Sequence, residues 1–93
     1  MTDGKLLLVA LVDLVPGAEA DSARYEDEVL ALLPRHGGVL ERRLTTGETE
    51  VQVIRFESRA GLDAFMGDPE RLALRDRYGD TAPAARVLEV IDR

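Results

Sequence analysis

The sequence predicts an α+β fold: a β-α-β-β-α-β domain with a four-stranded antiparallel sheet and two helices on one of its faces. Three observations predict it. Lys5–Val15 is apolar on both sides apart from Asp13: Leu6, Leu8, Ala10, Val12 and Leu14 fall on one, Leu7, Val9, Leu11 and Val15 on the other. A strand buried on both faces in the middle of a sheet reads this way. Val39–Thr45 and Glu50–Glu57 flank the loop Thr46-Gly47-Glu48, and a glycine in a short loop between alternating runs marks a hairpin. Helical spacing follows a strand twice, from about Ala18 and again from Ser58.

Each element has a local cause. Pro16-Gly17 ends the first strand, and a helix follows over about Ala18–Leu33. Tyr25, Val29, Leu32, Leu33 and His36 lie on one stripe of it, with Glu26, Asp27 and Glu28 largely toward solvent. Pro34 ends or kinks this helix because it lacks the N–H for the bond back to Leu30. Gly37 and Gly38 supply the left-handed conformation that closes a helix end. Val51-Gln52-Val53-Ile54-Arg55-Phe56 is rich in β-branched and aromatic residues, as strands are.

Ser58 then caps a helix whose Leu62, Phe65 and Met66, at i, i+3 and i+4, share one face. Gly67-Asp68-Pro69-Glu70 breaks it. Asp68 caps a new segment with Pro69 at the first position, where the missing N–H costs nothing, and Leu72, Leu74 and Tyr78 carry that segment on. After a polar loop at Gly79–Pro83, Arg86–Ile91 makes the last strand. This is the split βαβ, ferredoxin-like arrangement, with its second helix broken near Gly67–Pro69.

A chain of 93 residues is one domain, expected here over 1–93. A domain of this size buries only about 60–65% of its unfolded surface, so self-association helps it. The net charge of −6 leaves no excess of Lys and Arg to neutralise phosphates, which argues against nucleic acid or an anionic membrane as partner. Cysteine is absent, which removes disulfides, thiolate metal sites and a Cys nucleophile and suits a reducing cytoplasm. Leu6–Val12 followed by Ala18-Glu19-Ala20 imitates a secretory leader with its cleavage site. Asp3 cancels the charge of Lys5, however, and the apolar run stops at Asp13 after seven residues, so a strand is the expected reading.

Two helices cover one face of a sheet, yet Lys5–Val15 is apolar on both faces, and Val51 and Val53 oppose Ile54 and Phe56. A contiguous exposed apolar face is a liability, and a second copy of the chain, sheet against sheet, is its simplest cover. The expected partner is therefore the chain itself, as a homodimer.

Leu32-Leu33-Pro34-Arg35-His36-Gly37-Gly38, Ile54-Arg55-Phe56-Glu57-Ser58 and Phe65-Met66-Gly67-Asp68-Pro69 leading to Leu74-Arg75 resemble the dimeric α+β barrel superfamily over nearly the whole chain. They are similar to its small stand-alone members of uncharacterised function, and more loosely to its EthD-like and antibiotic-biosynthesis monooxygenase branches. The resemblance implies two ferredoxin-like subunits packed through their sheets and, where relatives bind small molecules, a pocket inside each subunit between helices and sheet. Relatives include cofactor-free oxygenases, isomerases, haem proteins and sensors. Unlike the oxygenases, this chain has no Trp and a single His.

Few side chains offer chemistry. His36 is the one group with an ordinary pKa near neutrality. It reads as a helix C-terminal residue bonded to the last carbonyls, or as a pocket acid/base. Arg43, Gln52, Arg55 and Arg86 are polar strand positions, read as cross-strand partners of Glu41, Glu50 and Glu89 or as a cationic pocket wall for a carboxylate or enolate. Tyr25 and Tyr78 read as core residues or as the lining of an aromatic-ligand pocket. Arg71 and Arg75, among Glu70 and Asp76, read as a solvated helix face. Asp13 faces the strand end or a partner.

No phosphate loop, G-x-S-x-G elbow or H-E-x-x-H is present. With one His and no Cys, neither a metal nor another cofactor is expected. Two readings remain. In one, a subunit binds or transforms a small apolar or aromatic metabolite, as a monooxygenase or isomerase does, with His36 and Arg55 as catalytic candidates and Arg43, Tyr78, Tyr25 and Gln52 as ligand-binding ones. In the other, the chain is a non-catalytic dimeric accessory or regulatory module with a filled interior.

Overall fold

The computed structural model describes residues 5–93, so residues 1–4 of the expected domain lie outside the described residues. In chain order the elements are β1 (Leu6–Asp13), α1 (Glu19–Leu30), a 3-10 turn (Leu33–His36), β2 (Gly38–Thr45) and β3 (Thr49–Phe56). Then come α2 (Arg59–Met66), α3 (Pro69–Tyr78), a second 3-10 turn (Gly79–Thr81) and β4 (Ala84–Val90). The four strands form one antiparallel sheet of order β2-β3-β1-β4. The expected ferredoxin-like topology is what forms, with β1 and β3 in the centre. The leader-like run Leu6–Val12 lies within a central strand.

Register assigns the two faces. Leu6, Leu8, Ala10 and Val12 of β1 stand opposite Phe56, Ile54, Gln52 and Glu50 of β3. These residues face the helices, and Leu8, Ile54 and Phe56 belong to one core with Tyr25, Leu33 and Phe65. Each fully buried side chain of this kind contributes about 1.5–3 kcal/mol relative to its exposed state. Leu7, Val9 and Leu11 oppose Arg55, Val53 and Val51 on the outer face. Leu88 and Val90 of β4 and Val39 and Leu44 of β2 extend it. Among the described residues, no helix packs on this face.

The helix breaks follow their local causes. α1 stops at Leu30, and the chain tightens into the 3-10 turn that holds Pro34 near its start. Gly37 has φ 73° and closes that turn, donating to Leu33 and Pro34 carbonyls. Gly38 is not left-handed. It opens β2, and a Cβ there would come within 2.9 Å of Leu33 and Phe56, so the missing side chain is what the packing uses. Ser58 caps α2 by accepting from the Gly61 N–H at 3.1 Å. Asp68 caps α3 by accepting from the Glu70 N–H at 2.8 Å, with Pro69 in the first turn.

Two further expectations change, and a third is settled between its alternatives. Met66 and Leu72 are exposed, so the buried stripe of the broken helix narrows to Leu62, Phe65 and Leu74. Glu26 is buried, whereas Asp27 and Glu28 face out or half out. Asp13 is exposed at its strand end and accepts from the Thr49 hydroxyl at 3.1 Å.

Candidate functional site

Between the helices and the inner face of the sheet lies a cavity of about 400 Å³. Leu8, Ala10, Ile54 and Phe56 form its floor, Val29, Leu62 and Phe65 its helical wall. It runs out to Ala85 and Val87 on β4, whose residues are largely exposed because the helices stop short of this edge strand. A pocket of this size and lining suits a small ring compound.

One wall is polar. Gln52 is 2% exposed on the inner face of β3, and its Nε2 donates to Glu26 Oε1 at 2.9 Å and to Glu50 Oε1 at 3.0 Å. Arg43 grips Glu50 from the other side, Nε to Oε1 and Nη2 to Oε2, both at 2.9 Å. Its Nη1 donates to the exposed Asp27 at 2.6 Å. A chain of polar contacts thus runs Asp27, Arg43, Glu50, Gln52, Glu26 from surface to cavity. Its charges are unequal. The bidentate guanidinium keeps Glu50 an ion partner, and the Arg43 proton is held more tightly than usual by that bond. Among the described residues, Glu26 has an amide and no cation within ion-pairing distance. Burial first, then the Glu50 charge, pushes its carboxyl above the ordinary value of 4.5, against the lowering effect of the Gln52 hydrogen bond.

The opposite rim carries Arg71 and Arg75 of α3. Arg71 lies over the Phe65 ring at 5.6 Å and donates from Nη1 to the Met66 carbonyl at 3.2 Å. Its Nε is buried, and no acceptor among the described residues reaches it. Leaving such a donor unpaired costs about 1–3 kcal/mol or more when it is charged. Arg75 donates to the Tyr25 hydroxyl at 3.3 Å and to the Pro83 carbonyl at 3.4 Å. Both were expected on a solvated face: Arg75 is exposed there and reaches the cavity rim, whereas Arg71 is half-buried along the cavity wall.

The residues singled out from sequence separate into groups. Tyr25 and Gln52 line the cavity. Arg43 stands behind Gln52 as the far end of the polar chain, with its guanidinium donors taken by Glu50, Asp27 and the Ala23 carbonyl. Arg55 lies on the outer face of the sheet, bonded to Glu41 at 2.7 Å, and Arg86 shares that face opposite Leu11. Glu89, expected to pair with a strand arginine, bonds Arg59 of α2. Tyr78 packs edge-on against Tyr25 at 5.4 Å and donates to Glu28, outside the main cavity and beside a shallow depression with Arg24 and Arg77.

His36 also lies off the cavity lining. Its Nε2 is 2.6 Å from Asp68 Oδ2, and its ring packs on Phe65 with centroids 6.2 Å apart. Asp68 is buried, yet its carboxyl is held below the ordinary value of 3.8, chiefly by His36 and then by the Glu70 N–H. The helix-end histidine thus ties the turn after α1 to the break between α2 and α3. Among the described residues, no three His, Asp or Glu side chains are grouped to hold a metal ion. No helix among them is long and apolar enough to cross a membrane.

No family model and no curated protein matches the chain. Solved structures do. A candidate antibiotic biosynthesis monooxygenase from Caulobacter crescentus superposes with a TM-score of 0.73 at 16% identity, over 96% of this chain and 92% of that one. Rv0793 from Mycobacterium tuberculosis gives 0.70 at 22% identity, over 97% and 98%. SnoaB, a cofactor-independent oxygenase from Streptomyces nogalater, gives 0.71 at 13%, over 96% and 93%. This chain has their ferredoxin-like α+β fold. The resemblance read from the sequence is met at that level.

Glu26, Arg71 and Arg75 are the cavity residues that sequence reasoning missed. Glu26 opens the acidic run Glu26-Asp27-Glu28, but it is also four residues after Ser22 and three before Val29, both buried. That spacing on a helix was the available signal. Arg71 is three residues before the buried Leu74, so its stem lies along the core-facing edge.

Proposed function

We propose that this protein binds a small, ring-containing apolar metabolite in the cavity and moves a proton on it through Glu26, as an oxygenase-like or isomerase-like subunit. The observation that carries this reading is a buried carboxyl with raised proton affinity in the polar wall of a largely apolar cavity. A carboxylate that is costly to ionise is a better base than a solvated one, so it is suited to taking a proton from an acidic C–H or O–H. Removal of such a proton is a step that oxygenation by dioxygen and double-bond isomerisation can share. SnoaB, similar in fold, is a cofactor-independent oxygenase, which supports this reaction class by analogy.

The reading includes a cytoplasmic homodimer joined through the outer sheet face. The uncovered row Leu7, Val9, Leu11, Val51, Val53 and Leu88 supports that part. In the alternative reading, the chain is an accessory module and the cavity is incidental to its packing. A thermal-shift screen of bicyclic and tricyclic hydroxyaromatics and ketones separates them. Ligands that raise the melting temperature of the wild type but not of Ala85→Trp, which fills the mouth, support the site. A screen without such ligands leaves the accessory module.

A further inference from the structure

β2 keeps step with β3 as far as Leu40, which stands opposite Ile54; Glu41 is then passed over, and Arg42 stands opposite Val53. An extra residue of this kind is a β-bulge, and it moves every later residue of its strand to the other face of the sheet. An even register would turn Arg43 outward and Leu44 toward the helices. The bulge does the reverse: Arg43 lies opposite Gln52 on the inner face, and Leu44 is exposed on the outer one.

The guanidinium so placed closes a ring of contacts that begins and ends on α1. Its Nη1 and Nη2 donate to the Asp27 carboxylate and the Ala23 carbonyl of that helix. Its Nε and Nη2 hold both oxygens of Glu50. Glu50 Oε1 accepts from the Gln52 amide nitrogen, whose other hydrogen goes to Glu26, the neighbour of Asp27 on α1. Glu26, Glu50 and Gln52 are all buried, so their orientations depend on one another rather than on bulk water.

Resting on the reading of Glu26 as the group that exchanges a proton in the cavity, we propose that Arg43 is a positioning residue for it. Through Glu50 and Gln52, Arg43 sets the orientation and the charge surroundings of a carboxyl that it does not touch. Gln52 and Glu50 of β3, Arg43 of β2 and Arg71 of α3 act on Glu26, with Asp27 beside it on α1 and Arg75 on the cavity rim. Removal of the Arg43 charge leaves two buried acids on one amide. Such a pair takes up its first proton at a higher pH.

Gln52 is the one side-chain carboxamide of the chain, which has no Asn and no other Gln, so its NH2 pair stands alone in a proton–nitrogen correlation spectrum. In a pH titration of the wild type, this pair is expected to move through a step that Glu26→Met abolishes. Arg43→Met removes the charge and adds no amide. It should displace the pair at neutral pH and raise the midpoint of the step by about one pH unit. Arg43→Lys restores the charge without the two-point grip. Its midpoint should return most of the way while the pair stays displaced, and this displacement is the readout should the Met variant be unfolded. A folded Arg43→Met whose pair and midpoint match the wild type, or an Arg43→Lys whose pair is not displaced, overturns the positioning role and leaves the reading of Glu26 standing. A wild type without the step, or a step that survives Glu26→Met, overturns the reading of Glu26 and the role of Arg43 with it.

Discussion

Glu26 and Glu50 share one amide: the two hydrogens of Gln52 Nε2 serve a carboxylate that has an arginine and a carboxyl that has none. That asymmetry pairs one acid with a guanidinium and leaves the other, buried without one, holding its proton more tightly than usual. Gln52 holds both because it lies on the inner face of β3, two residues from Ile54 and four from Phe56.

Replacing Gln52 with Leu keeps the volume and removes the amide. Glu26 then loses its hydrogen bond and Glu50 loses one of its two partners, inside the protein. We expect a loss of about 1–3 kcal/mol, read as a lower midpoint in urea with unchanged slope. An unchanged midpoint would mean that the polar wall is hydrated and carries no tension.

The two perturbed carboxyls predict opposite pH trends. Glu26 binds its proton more tightly when folded, so its contribution is fully present below the ordinary value of 4.5 and is lost as pH rises through its folded value. Gln52, Glu50, Arg43 and Arg71 are the groups that act on it. Asp68 binds its proton less tightly when folded, so its contribution is present above 3.8 and is lost as pH falls through its folded value. At neutral pH, Glu26→Gln should therefore melt higher than the wild type, and Asp68→Asn lower. Below the folded value of Asp68, the Asp68→Asn deficit should vanish. Melting curves from pH 3 to 8 read both trends.

Gly61 lies where α2 meets the turn that carries His36. A Cβ at this position would stand 2.3 Å from the His36 carbonyl oxygen, which is backbone and has nowhere to yield. Gly61→Ala should cost about 3 kcal/mol despite its better helix propensity. A stabilised Gly61→Ala would show that the two segments can part freely.

On the outer face, Val9 lies opposite Val53 and Leu88. Val9→Lys places a charge in the middle of the apolar row. If this face joins two copies, sedimentation equilibrium should give twice the chain mass for the wild type and one chain mass for the variant. A monomeric wild type would remove the paired-sheet account.

How far the sequence carried depends on where periodicity is unambiguous. Ser58, Asp68-Pro69 and Gly37 have cap chemistry that hardly depends on the rest of the chain, and each stands where its residue type dictates. The faces of β1 are both apolar, so the sequence could not say which one meets the helices. That choice decides whether Arg43, Arg55 and Arg86 reach the cavity. Arg43 contacts its polar wall and the other two lie on the opposite face. Glu26 and Arg71 escaped notice because charged residues in acidic or mixed helical runs usually face water. Here their stems follow the buried positions beside them.

The central claim is that the ligand sits against Glu26 and Gln52. Amide chemical-shift mapping of the protein during titration with 7-hydroxycoumarin tests it most directly. We expect saturable shifts around Ala10, Glu26, Gln52, Phe65 and Val87, with Val9 and Val53 changing least. Saturable shifts confined to the outer sheet face, or none at all, would contradict it.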